Sequence, residues 1–276
     1  MYPSLQIGHI IFPMFQLILF GAAFFCMFVY IISPKYEPGR AEMFMRCIPS
    51  GAVGAILGGK LIYAAVFLLQ EGKWDFVQML NGSVFYGGLL GGFLGIALFS
   101  KIRKRNPLDD LDVAASLLPL GQAIGRLGCY CNGCCYGCAY EGFAAVPYPV
   151  NGTWTMVFPT WFVESAACLT LFFILHFLVP KYRGIPAGWY LIGYALIRYF
   201  VEFHRADELR GVWNGTSTSQ LISIAALTAG IWLVYFAAKH KQLNLYFHHK
   251  GEKDNGISAI TSCLSETAGT AAGRQK

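Results

Sequence analysis

The sequence predicts an all-α polytopic membrane protein with about seven transmembrane helices, its N-terminus outside and its C-terminus in the cytoplasm. Three observations carry that prediction. Only 13% of the residues are charged and 55% are hydrophobic, whereas a soluble protein carries roughly 25% charged residues. Seven apolar runs approach the ~20 helical residues that cross a bilayer core. The segments between them alternate between rich and poor in Lys and Arg, which is how cytoplasmic and external loops differ. A soluble enzyme, a nucleic-acid-binding domain and a small disulfide scaffold are disfavoured by the same composition. The formal charge of +6 reads as a topology signal and not as a nucleic-acid footprint.

The runs fall at 10–32, 47–70, 82–100, 111–128, 159–180, 185–203 and 219–239, each limited by Pro, Gly or charge. In the third, Gly87, Gly88, Gly91, Gly92 and Gly95 form a small-residue stripe on which a neighbouring helix can approach closely. Of the 21 Lys and Arg, 15 follow the first, third, fifth and seventh runs. Lys73, Arg205 and Arg210 fall on the other side, and Lys60, Arg126 and Arg198 lie in or at the edge of the runs. Residues 1–9 hold no Lys or Arg and no small-residue cleavage site follows, so the first run reads as a retained helix. Residues 1–240 are expected to form the membrane domain. Residues 241–276, rich in Lys, Ser, Thr, Gly and Ala, are expected to be a disordered cytoplasmic tail, too poor in apolar surface to fold alone.

An ionisable side chain at membrane depth costs several kcal/mol unless it faces a partner or a wet cavity, so each one marks a candidate site. Lys60, Arg126 and Arg198 stand against Glu164 and Glu202, which leaves one cation unmatched. Tyr194, Arg198, Glu202 and Arg205 keep within an arc of about 80° if the sixth helix runs through them. One reading pairs Arg126 with Glu164 and Arg198 with Glu202 as structural ion pairs. The other uses the surplus charge: the planar fork of Arg suits bidentate contact with a phospholipid phosphate entering from the outer leaflet. Lys60 either joins that site or snorkels. Among the histidines, His176 reads as a packing residue and His204 as the one candidate acid or base.

Five of the nine cysteines, Cys129, Cys131, Cys134, Cys135 and Cys138, cluster after the fourth run. Two Cys-x-x-Cys spacings, 131–134 and 135–138, fit a metal centre in which Cys131, Cys134, Cys135 and Cys138 are the ligands. An external location fits disulfides with one thiol left over. Free, functional thiols are the third reading, and the spacing does not choose between them.

A family resemblance rests on the same residues. GGKL at 58–61, FYGGLLGG at 85–92, Pro119 and Gly121 leading into GRLG at 125–128, Asn132-Gly133, Gly137, PTWFVE at 159–164 and YALIRYFVEFHR at 194–205 together resemble the bacterial prolipoprotein diacylglyceryl transferases across about 200 residues. The resemblance implies a seven-span enzyme at the outer face of a bacterial cytoplasmic (inner) membrane. Such an enzyme moves the diacylglyceryl group of phosphatidylglycerol to a lipobox cysteine of a pre-lipoprotein and releases glycerol phosphate, without a cofactor. It implies that Arg126, Arg198 and Glu202 are catalytic. Lys60, Asn132, Gly133, Glu164, Tyr194 and Arg205 are the candidate substrate-binding residues. The chain departs from the family pattern in three places. Tyr86 stands where many members have a His, so that it becomes the candidate hydrogen-bond donor or base. Pro13, Met14 and Phe15 replace a His-or-Arg, Trp, Tyr run. Cys129 and Cys134 replace an Asn and a Glu in the fourth-span motif. Two alternatives remain: a phospholipid-dependent transferase with a different acceptor, and a non-catalytic lipid- or metal-binding membrane protein built around the cysteines.

Overall fold

The computed structural model describes residues 4–239 apart from 8–9, 34–37, 73–74, 76–81, 83, 151, 181, 207–211, 214–215 and 218. The expected tail at 241–276 lies outside the described residues. Among the described residues, seven helices occupy the seven apolar runs: α1 (Met14–Ile32), α2 (Pro38–Glu71), α3 (Phe85–Ile102), α4 (Pro107–Asn132), α5 (Thr160–Phe173), α6 (Ile185–Glu202) and α7 (Ser219–Lys239). A π-helical turn, Ile174–Leu178, continues α5. The chain is mostly helical but not all-α. Three antiparallel hairpins join β1 (Ser4–Ile7) to β2 (Ile10–Pro13), β3 (Val146–Val150) to β4 (Thr153–Val157), and β5 (Val212–Trp213) to β6 (Thr216–Ser217). Residues 10–13 thus leave the first expected span. Pro13, which has no N–H to give a helix, stands in extended conformation at its N-cap.

By length and apolarity, four described segments are able to cross a membrane: α1, Met45–Leu68 of α2, Thr160–Leu178 and α7, with mean hydropathy 1.8 to 2.3. α3 adds a shorter apolar stretch, Gly87–Ile102. α4 and α6 carry Arg126, Arg198 and Glu202, and a helix burdened in this way belongs inside a bundle. Phe20, Phe24, Leu94, Leu98, Trp232 and Tyr235 are exposed, an apolar outer surface suited to lipid.

α4 is the hub, packing against α1, α3, α5 and α6. Ala115 and Ala123 on α4 make room for Cys168, Leu171 and Leu175 beyond α5, and for Tyr190 and Tyr194 of α6. On its α1 side, Val113, Leu117 and Leu120 meet Tyr30 and Phe172. The glycine stripe of α3 finds its neighbour in α2. A Cβ on Gly54 or Gly58 would run into the carbonyls of Gly91 and Gly87, and one on Gly87 or Gly91 into those of Gly58 and Gly54. The two backbones are in contact along that seam, which only glycine permits.

Acidic residues at the start of α4 tie one end of the bundle together. Asn106 caps α4 by accepting from Leu108 N at 3.0 Å. Asp112 accepts from Gly184 N at 2.6 Å and Ala187 N at 3.0 Å, at the N-terminus of α6, where free N–H groups and the helix dipole favour a carboxylate. Arg183 forks onto Asp109 at 2.7 and 2.9 Å. That contact holds the guanidinium above its ordinary range, the Asp109 hydrogen bond being the main cause. Buried Asp110 accepts from Ser100 at 2.6 Å and pairs with Arg105 at 3.2 Å. At the other end of α4, the β3–β4 hairpin turns at Gly152, whose φ of 82° suits a two-residue connection. It buries Tyr148 against Trp161, ring centroids 4.5 Å apart.

Candidate functional site

Between α1 and α4 lies a cavity of about 960 Å³. Its lining along α4 extends from Ala114 to Asn132, roughly 27 Å at 1.5 Å per residue. The Ala114 end is apolar, with Leu117, Leu118, Met27 and Tyr30. The other end gathers Arg126, Cys129, Asn132, Cys134, Cys135 and Arg205, and Tyr194 and Arg198 also face the space. A long apolar trough with cationic groups at one end matches a molecule with a chain and an anionic head.

The charged side chains form one continuous network across four helices. Arg126 Nη2 of α4 donates to Glu164 Oε1 of α5 at 2.5 Å. Glu164 Oε2 lies 3.9 Å from Arg198 Nη1 of α6. Arg198 Nη2 reaches Glu202 Oε2 at 2.9 Å, an i,i+4 pair, and also Ser219 Oγ of α7 at 3.2 Å. Glu202 Oε1 accepts from Ser217 Oγ at 2.6 Å. Both pairings expected from the sequence are present, and Glu164 joins them. Glu164 is only 1% exposed, Arg198 and Glu202 each 7%. The two arginines and two glutamates cancel in formal charge, and Arg205 stands on the wall of the same cavity. Arg205 is not the next step along the helix, as the periodicity suggests. α6 ends at Glu202, and Arg205 reaches the site through a β-bridge to Gly137.

The cysteines that meet are not those the Cys-x-x-Cys spacing selects. Gly133 caps α4 in the left-handed region, φ 82°, its N–H on Cys129 O, and Cys134 N donates to the same carbonyl at 3.2 Å. This reversal lays Cys134 and Cys135 back over the last turn, beside Cys129. Cys131, two helical residues on, points about 200° away. The sulfurs of Cys129, Cys134 and Cys135 all lie within 4.8 Å of one another, and the expected set of Cys131, Cys134, Cys135 and Cys138 is not assembled. None of the eight cysteines among the described residues is in a disulfide.

The loop is pinned to the start of α5. Trp161 Nε1 donates to Cys134 O at 2.6 Å and Thr160 Oγ1 to Cys135 O at 2.8 Å. Cys135 is thereby held at φ 62°, a left-handed conformation that costs a non-glycine residue of order 1 kcal/mol. The Cys135 thiol sits well below its usual range, first through hydrogen bonding with Cys129, then with Cys134, and then through the charges of Arg205 and Arg126, against the effect of its burial.

Of the other expected residues, Tyr194 is buried and stacks on Tyr190 at 5.8 Å. Asn132 is the last residue of α4 and lines the cavity, whereas Gly133 contributes its backbone conformation. Lys60, on α2, is not among the residues that line the cavity. Tyr86 falls in α3, and its side chain lies outside the described residues. His204 stacks on Phe158 at 4.5 Å and does not line the cavity. His176 faces Ser33 Oγ at 3.2 Å as a packing residue. Ser217 and Ser219 escaped the sequence reading because isolated serines before a span carry no spacing signal. Gln122, one turn before Arg126, was detectable as a polar residue in a span and donates to Tyr190 at 3.0 Å.

The chain is similar to known proteins along most of its length. Residues 4–236 match the family described as prolipoprotein diacylglyceryl transferase. Three relatives named phosphatidylglycerol–prolipoprotein diacylglyceryl transferase are similar over much of their length. The second such protein of Clostridium perfringens is 36% identical over 66% of this chain and 73% of its own. That of Pasteurella multocida is 32% identical over 70% and 76%, and that of Chlorobaculum tepidum 27% identical over 78% and 83%.

Proposed function

Because the chain belongs to the prolipoprotein diacylglyceryl transferase family, we propose that it transfers the diacylglyceryl group of phosphatidylglycerol to a cysteine thiol of a pre-lipoprotein, releasing glycerol phosphate. The observation that carries this reading is the trough with apolar walls and an arginine-lined end. The acyl chains lie along α1 and α4, and the phosphate rests against Arg126, Arg198 and Arg205. Guanidinium groups suit the oxygens of a singly charged phosphodiester. Glu164 and Glu202 hold the guanidinium planes in place, so that the remaining N–H donors are oriented before the lipid arrives.

The reaction displaces phosphate from a glycerol carbon. Sulfur attacks the carbon, the C–O bond opens, and charge grows on the departing phosphate. Arginines aimed at those oxygens in a water-poor trough lower that barrier. Loss of one such donor costs about 10²–10³ in rate. Tyr194 and Asn132, which line the trough, are read as lipid-positioning residues and Tyr86 as a hydrogen-bond donor or base. In this reading residues 1–240 form a seven-span domain of a bacterial cytoplasmic membrane, with the arginine end near the outer leaflet and a polar tail after residue 240.

Membranes containing the protein, given labelled phosphatidylglycerol and a lipobox peptide, are expected to yield a thioether-linked diacylglyceryl peptide and glycerol phosphate. Glycerol phosphate without modified peptide would favour a different acceptor, a reading supported by Cys129 and Cys134 standing where the family pattern has polar partners. Neither product, beside an active family member as control, would reject the transferase reading.

A further inference from the structure

We propose that Cys129, Cys134 and Cys135 bind a zinc ion with one coordination position open to the cavity, where the acceptor thiol is held as a thiolate. The proposal rests on the transferase reading for the identity of that thiol. The three sulfurs come within 4.8 Å of one another. Tetrahedral zinc–thiolate bonds of about 2.3 Å set sulfurs about 3.8 Å apart, which is within about 1 Å of that separation. The backbone is already fixed by the Gly133 cap and by the Trp161 and Thr160 hydrogen bonds to the Cys134 and Cys135 carbonyls. A disulfide would use two of the sulfurs and strand the third, whereas a metal uses all three.

Charge and access point the same way. Three thiolates and Zn²⁺ sum to one negative charge, placed beside Arg126 and Arg205 on the same wall. All three cysteines line the cavity, so the fourth position faces the substrate, which is the arrangement of catalytic and not structural zinc. With the acceptor bound, the ion has four sulfur ligands, a set that suits zinc. The chemistry gives such a device a role. A free thiol with a pKa near 8.5 is mostly protonated at neutral pH. Among the described residues lining the cavity there is no histidine and no carboxylate, and Glu164 and Glu202 are engaged by arginine. A thiol bound to zinc is deprotonated outright.

The step balances. The acceptor thiol releases its proton to solvent on binding, and its sulfur forms a bond to the glycerol carbon as the carbon–oxygen bond breaks. The electron pair leaves on glycerol phosphate, which takes up a proton, and nothing is oxidised or reduced.

The test uses the full chain purified in lipid nanodiscs, stripped with chelator and reloaded with zinc alone. One zinc per chain is expected, lost in Cys129→Ser, Cys134→Ser and Cys135→Ser and retained in Cys131→Ser and Cys138→Ser. Replacing zinc by Co²⁺ is expected to give a sulfur-to-cobalt charge-transfer band that shifts when a lipobox peptide is added, but not with its Cys→Ser form. Stripping is expected to lower thioether formation at neutral pH by about 10² or more. Part of the loss should return as pH rises past the acceptor thiol's ~8.5. No bound zinc, zinc that survives all three substitutions, or a disulfide among these cysteines in anaerobically isolated protein would overturn the proposal. Thioether formation indifferent to stripping would overturn it while leaving the transferase reading intact. A peptide-sensitive cobalt band with no transfer of lipid would keep the metal site and reject the transferase.

Discussion

Glu164 accepts from Arg126 and faces Arg198 with its other oxygen, and its negative charge is what lets two buried guanidinium groups lie on one cavity wall. Removing it takes the carboxylate partner from Arg126 and leaves Arg198 to Glu202, and breaking a buried pair in this way costs about 3–5 kcal/mol. Glu164→Ala is therefore expected to lower the thermal unfolding midpoint strongly, whereas Arg126→Ala, farther from full burial, is expected to insert and fold yet lose at least about 10²-fold in turnover. Scanning fluorimetry and product formation separate the two effects. At Arg198, Nη2 donates to Ser219 and lies 2.9 Å from Glu202, while Nη1 faces Glu164, an arrangement that suits a planar fork and not an ammonium. Arg198→Lys should recover little of the activity lost in Arg198→Ala, and full activity in the Lys variant would show that geometry is not what Arg supplies there.

At the scale of elements, two kinds of glycine make opposite predictions. Gly54 and Gly91 face each other across the seam between α2 and α3, where an added Cβ meets backbone. Gly21 in α1 has nothing within 4 Å of the position a Cβ would take. Gly54→Ala and Gly91→Ala are expected to lower the unfolding midpoint. Gly21→Ala should leave it unchanged or raise it, since Ala gains up to about 1 kcal/mol over Gly in a helix. The carboxylate of Asp112 tests a different joint. It satisfies two N–H groups at the start of α6, and Asp112→Ala should cost about 1–3 kcal/mol. Because α6 carries Tyr194, Arg198 and Glu202, loosening its far end should also raise the KM for lipid, measured in mixed micelles.

At the scale of the whole molecule, the asymmetry of basic residues is expected to set which face of the bundle meets the cytoplasm. Reporter fusions after residue 105 and after residue 276 are expected to report cytoplasm, and one near residue 150, in the β3–β4 connection, the exterior. An external signal at 105 would invert the bundle and move the arginine end of the trough to the inner leaflet. The joint between hairpins and helices belongs to this scale too. Ser217, at the end of β6, both bonds Glu202 and accepts from Ser219 N at the start of α7, so the last helix is set against the site by the residue that completes it.

Chain order and composition were enough to locate the helices, because a run of ~20 apolar residues in a low-dielectric medium has few ways other than a helix to satisfy its backbone. They were also enough to single out Arg126, Arg198, Glu164, Glu202 and Tyr194, because charge and polarity inside such runs are costly and stand out. Three features were decided only by tertiary structure. Glu164 lies 38 residues from Arg126 in sequence, and no local spacing reveals that it reaches both arginines. Arg205 reaches the cavity through its bridge to Gly137 and not through helical periodicity. Three of the five clustered cysteines converge because Gly133 reverses the chain at φ 82°, which cancels the two-residue spacing on which a Cys-x-x-Cys reading depends. Local pattern reports which groups are costly to bury, and only the packed helices determine which of those groups meet.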